Sequence, residues 1–148
     1  MTARRRARLD GPIVVDANVL FGALLRDGTT RHLLLYGGLD LHTPAHIWTE
    51  FERNRAYLLK KSGATEAAFR LLIDSLRDRI ADVPLPLIQE RMGEALARVG
   101  PRETLDAPYV AAALALGAAL WTKDKGLKEK APVPVVGTED VVAALGIP

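Results

Sequence analysis

The chain contains no cysteine, so disulfides, thiolate nucleophiles and cysteine-held zinc or iron–sulfur centres are excluded. That absence fits a reducing, cytoplasmic setting. Serine is scarce too: Ser62 falls at a helix end and Ser75 within a helical run, and neither resembles a nucleophile elbow. No G-x-x-x-x-G-K-[ST] loop and no G-x-G-x-x-G string occurs, so nucleotide cradles lack support. Long apolar runs are missing: residues 109–121, the most apolar segment, are too few and too alanine-rich to span a bilayer. The first eight residues are basic but lead into no apolar core, which is not the pattern of a secretory signal.

What remains is a chain of 148 residues with 49% hydrophobic content, long enough for one domain that buries roughly two-thirds of its unfolded surface. The net charge of +2 is unevenly placed, because Arg4, Arg5, Arg6 and Arg8 all precede the first apolar segment. Residues 1–10 are expected to form a flexible basic arm, either a solubilising tail or a contact for nucleic-acid phosphates, and residues 11–148 a single domain.

Residues 13–15, Ile-Val-Val, read as a short buried strand. Asp16 ends it, and an amphipathic helix follows over 17–26. A second helix covers 29–36 with Thr29 or Thr30 as its N-cap, and Gly37-Gly38 stops it before a strand over 39–43. Pro44 suits the first position of a long helix to about residue 61, and a further helix runs over 65–80 with Phe69, Leu72, Ile73, Leu76 and Ile80 at helical spacing. Residues 81–85 are a short strand or a prolyl connector, and 87–99 are helical. Asp106 starts an alanine-rich helix that Gly117 stops; strands are expected over 118–122 and 133–136, and Thr138 caps a last helix to 145. Strand–helix alternation of this kind implies a parallel sheet covered by helices.

Four acids fall at or near strand–helix junctions: Asp16, Glu50, Asp106 and Asp124. In an open α/β sheet the carboxyl ends of the strands are where ligands bind. Crowded carboxylates repel and favour protonation unless a cation intervenes, and hard oxygen donors suit Mg²⁺ or Mn²⁺. Such a site polarises a phosphate and activates water. Each acid also has an ordinary reading. Asp16 and Asp106 can be helix caps, Asp124 a turn aspartate, and Glu50 a solvated helix residue with Glu52 as a rival for its role. The ordered set of four favours the site.

These strings resemble the PIN-domain ribonuclease family over nearly the whole chain: Val-Val-Asp16-Ala-Asn18-Val-Leu, Thr43-Pro44 followed by Glu50-Phe51-Glu52, Asp106-Ala-Pro-Tyr-Val-Ala-Ala-Ala-Leu-Ala-Leu, and Leu-Trp-Thr122-Lys-Asp124-Lys. The resemblance implies a PIN-like three-layer α/β/α fold with a parallel sheet of four to five strands in the order 3-2-1-4-5. It places the metal-binding and catalytic quartet on Asp16, Glu50, Asp106 and Asp124, and implies metal-dependent cleavage of RNA. Small members of the family commonly act as the toxin of a toxin–antitoxin pair, so a cognate antitoxin and a homodimer are the partners it suggests. One departure stands out: Glu103 and Leu105 occupy positions where relatives often carry Asp, which leaves Glu103 an accessory ligand or a bystander.

Asn18 can orient the Asp16 carboxylate or a water, or be an ordinary polar residue at a helix start, and Thr122 resembles the family's small hydroxyl near the metal or simply ends a strand. Arg53, Arg55, Lys60 and Lys61 line up behind Glu50 and Lys123 and Lys125 flank Asp124; they hold phosphates or form a solvated face. His46 and Glu50, four apart, can meet on one helix face, while Trp48 and Trp121 read as packing residues. Phe21, Leu24 and Leu34 are candidates for a dimer surface or for the core. Two rivals stand beside the nuclease: a non-catalytic RNA- or protein-binding module on the same fold, and a response-regulator-like domain, which the long helical segment between 44 and 99 suits poorly.

Overall fold

A computed structural model of the chain describes residues 9–147, so the Arg4–Arg8 stretch of the expected basic arm lies outside the described residues. In chain order the elements are β1 (Pro12–Val15), α1 (Ala17–Leu25), α2 (Thr29–Tyr36), β2 (Asp40–Pro44), α3 (His46–Arg53), α4 (Arg55–Ser62), α5 (Glu66–Arg79), β3 (Ile80–Val83) and α6 (Leu85–Val99). A 3₁₀ turn (Pro101–Glu103) leads to α7 (Ala107–Leu116), β4 (Ala119–Trp121), α8 (Leu127–Lys130), β5 (Val135–Val136) and α9 (Thr138–Ala144). The five strands form one all-parallel sheet in the order β3-β2-β1-β4-β5, the order the family resemblance implied. Central β1 pairs Ile13 with Leu41 of β2 on one side and with Ala119 of β4 on the other.

Alternation along β1 creates two cores. Ile13 and Val15 face one layer of helices together with Leu24, Phe51, Phe69 and Trp121, whereas Val14 faces the other with Val110 and Leu120. Both faces of the sheet are therefore covered, as a parallel sheet requires. Trp48 and Trp121 are packing residues, buried and each with its indole N–H satisfied, by Asp82 Oδ1 at 2.8 Å and Thr138 Oγ1 at 3.2 Å. Leu24 and Leu34 are core residues rather than surface, and Phe21 is half-buried, stacked edge-on against Phe51 at 4.9 Å.

Several boundaries differ from the sequence reading, each for a local reason. The long helix expected over 44–61 is two helices, because Pro44 ends β2 and Asn54 breaks the run. The Asn54 amide donates to the Glu50 carbonyl at 2.9 Å, ending α3 by a side-chain-to-backbone bond that competes with continued helix. Residues 80–83 form an edge strand, so the strand alternative holds for that segment. Thr29 and Thr30 lie inside α2, and Gly28 takes the N-cap position. Thr138 likewise is the first residue of α9 and not its cap; its hydroxyl instead accepts from the Trp121 indole, while Asp140 Oδ2 takes the Gly137 N–H at 2.8 Å. The short α8 between β4 and β5 was not anticipated.

Candidate active site

Asp16 is the most constrained acid. It stands where β1 passes into α1 and is 2% exposed. Its Oδ1 accepts from the Ala17 N–H at 2.8 Å, so the capping reading is correct, and its Oδ2 accepts from the Thr122 hydroxyl at 2.6 Å. Burial pushes its carboxyl up, the bonds from Thr122 and Ala17 pull it back, and the nearby Asp124 charge raises it again.

Thr122, at the end of β4, is the hub. While its hydroxyl donates to Asp16, it accepts from Asn18 Nδ2 at 3.2 Å and from the Asp124 N–H at 3.0 Å. Asn18 Oδ1 in turn accepts from the Lys123 N–H at 3.1 Å. Asn18 thus reaches Asp16 through Thr122 and pins the loop after β4 to the start of α1. Asp124 also closes an Asx turn, its Oδ1 accepting from the Gly126 N–H at 2.9 Å, as the turn reading expected.

Asp106 occupies the N-cap position of α7, as the capping reading has it, but its side chain makes no capping bond. Its carboxyl is pushed up to about 6, first by burial and then by the charges of Asp16, Asp124 and Glu103. Glu50, two turns from the end of β2, lines the same cavity of about 460 Å³ as Asp16, Asn18, Asp106, His46 and Tyr109. His46 Nε2 lies 3.9 Å from Glu50 Oε1, so the two do meet on one helix face. Glu52 is exposed and pairs with Arg55 at 3.6 Å, which removes it from this cavity.

The structure thus brings Asp16, Glu50 and Asp106 to one cavity and ties Asp124 to Asp16 through a single hydroxyl, while Asp124 itself faces the neighbouring cleft beside Lys123 and Lys125. Among the described residues, no three carboxylate or imidazole groups are close enough to form a finished ligand set. The donors nonetheless suit a hard divalent cation: all are carboxylates, the charges of Asp16, Asp124 and Glu103 bear on Asp106 and that of Asp124 on Asp16, and Glu103 Oε2 is buried without a partner. Glu103 Oε1 accepts from Lys130 Nζ at 2.9 Å.

The expected phosphate-binding residues are placed unequally. Arg55 is engaged with Glu52 and Glu66, both at 3.6 Å, and lies over the Phe69 ring. Arg53 is exposed on α3, Lys125 is exposed beside Asp124, and the Lys123 ammonium lies against Gly22 of α1. Tyr109 was missed by sequence reasoning. It is 3% exposed, lines the cavity, and packs its ring edge-on to His46 at 5.6 Å. Its position three residues after Asp106 puts the two on one face of α7, a spacing that could have drawn attention to it.

The model of the PIN domain matches residues 14–145. A VapC ribonuclease of Mycobacterium bovis is 33% identical over 130 residues, covering 84% of this chain and 98% of the relative. The ribonuclease VapC9 of Mycobacterium tuberculosis matches with the same identity and coverage.

Proposed function

The chain belongs to the PIN-domain family, and from that premise we propose that it is an endoribonuclease that hydrolyses RNA phosphodiester bonds at the carboxylate cavity. The observation that carries the proposal is the convergence of Asp16, Glu50 and Asp106 on one cavity, with Asp124 coupled to Asp16 through Thr122. In the finer reading Mg²⁺ or Mn²⁺ is held by Asp16, Glu50, Asp106 and Asp124, with Glu103 as an accessory donor. Such an ion, when bound, neutralises the acids, polarises the scissile phosphate and lowers the pKa of an attacking water.

The chain's own residues do the rest. Thr122 and the Ala17 N–H fix the Asp16 carboxylate in one orientation, and Asn18 keeps Thr122 from rotating away. Fixed ligands lose little freedom when an ion arrives, which favours tight and well-oriented binding. Lys123, Lys125 and Arg53 offer positive charge to the RNA backbone, and Arg55 does so to the extent that its pairs with Glu52 and Glu66 open. A cognate antitoxin, a homodimeric state and a cytoplasmic location belong to the same proposal and are supported by the family and the cysteine-free composition. Among the described residues no helix is long and apolar enough to cross a membrane.

The test is incubation of purified protein with a mixed single-stranded RNA pool in Mg²⁺, in Mn²⁺ and in EDTA. Ion-dependent cleavage is expected. RNA that is bound but left intact under all three conditions would point to the non-catalytic binding module instead.

A further inference from the structure

The Tyr109 hydroxyl is the one buried side-chain donor in the carboxylate cavity that lacks a hydrogen-bond partner among the described residues. Buried hydroxyls are rarely left so, because the lost hydration is then uncompensated. Glu103 Oε2 is also unpartnered, but it is an acceptor and Glu103 is already tied to Lys130. Tyr109 therefore needs an acceptor that comes to it.

Glu50 is the candidate the geometry offers: it lines the same cavity, and among the described residues its carboxylate makes no hydrogen bond of its own. Burial and then the charge of Glu50, ahead of Asp16 and Asp106, push the Tyr109 phenol far up, so at working pH it is a neutral donor and never a base. On its other side Glu50 has only His46 Nε2 at 3.9 Å, too long for a hydrogen bond, and its side chain is 43% exposed. The His46 ring packs edge-on to Tyr109 and lines the same cavity. An incoming phosphate is a poorer candidate, since it would have to enter from outside to meet a solvent-inaccessible hydroxyl, whereas Glu50 already lines the cavity.

We propose that Tyr109 is a positioning residue for Glu50, its hydroxyl donating to the Glu50 carboxylate and drawing that side chain from its loose outward contact with His46 toward Asp16 and Asp106 as the cation-loaded site forms. The inference rests on the divalent-cation reading above. A charge-assisted bond of this kind fixes one ligand oxygen and leaves the other for the ion. It also gives the orphan hydroxyl its partner only in the loaded state.

Tyr109→Phe keeps the ring and removes the donor. Mn²⁺ binding is measured by titration calorimetry without RNA, beside thermal melting of the metal-free protein and RNA cleavage over rising Mn²⁺. The expected result is a Kd weakened by about tenfold or more, an unchanged or higher melting temperature without metal, and cleavage that recovers as Mn²⁺ saturates. Wild-type affinity in the variant overturns the inference, as does a clear drop in metal-free melting temperature, which would show a partner already present in the fold. Cleavage that stays low at saturating Mn²⁺ overturns it too, since the hydroxyl would then act on the substrate. Wild-type protein that binds no Mn²⁺ overturns the cation reading together with the inference, whereas wild-type protein that binds Mn²⁺ and cuts no RNA overturns the nuclease reading alone.

Discussion

The Thr122 hydroxyl joins Asp16 and Asn18 to the Asp124 N–H, more than a hundred residues away, by one donated and two accepted bonds. Thr122→Val keeps the shape but leaves Asp16 short of a donor and strands the Asn18 amide and the Asp124 N–H. We expect a loss of about 1–3 kcal/mol in stability and a fall in cleavage of roughly 10- to 100-fold, checked by urea unfolding and initial rates. Asp106 gives a pH prediction. Its carboxyl sits near 6 in the fold against 3.8 unfolded, so below 3.8 it is neutral in both states and costs nothing. As pH rises through 6 the folded state must take up a charge it disfavours, and stability is lost. In metal-free protein Asp106→Asn should therefore melt higher than wild type at pH 7.5, with the gap closing as pH falls toward 4; a gap that widens on acidification contradicts the electrostatic account. Asp16, Asp106, Asp124, Asn18 and Thr122 were legible in sequence because each stands at or next to a strand or helix boundary, whereas Glu50, inside α3, was legible as part of the ordered acid set. Tyr109 was not, because its environment depends on His46 and Glu50, which arrive from α3 through tertiary packing.

Elements were legible where punctuation was strong. Gly117 ends α7 in the left-handed region at φ 61°, and the alanine-rich helix stops there as its sequence predicts. A Cβ at that position would meet nothing within 4 Å, so Gly117→Ala carries only the backbone cost, about 1 kcal/mol. Denaturant unfolding should show that loss with RNA cleavage unaltered, since the residue lies at the far end of α7 from Asp106. The break at Asn54 was illegible, because helical periodicity continues across it and a single amide-to-carbonyl bond decides the matter. The same holds for the N-caps of α2 and α9, where threonine is favoured by rule yet glycine takes the position and the Thr30 and Thr138 hydroxyls lie 3.1 Å apart. Edge strand β3 was ambiguous because Pro84 follows it and its outer face has no partner strand to enforce alternation.

At the scale of the whole molecule, the sheet order is what assembles the site. Placing β1 between β2 and β4 brings the ends of three strands together, so that Asp16, the α3 helix after β2 and Thr122 after β4 share one edge. Alternation of strands and helices announced a parallel sheet, but the order came from family resemblance, since strand pairing is a long-range choice that local pattern does not encode. The most direct test compares wild-type protein with Asp16→Asn on the same RNA pool in Mg²⁺ or Mn²⁺. The account predicts cleavage by wild type and its loss in a variant whose circular dichroism and melting show an intact fold. Equal cleavage by pure, folded Asp16→Asn protein would contradict the claim that this cavity is where RNA is cut.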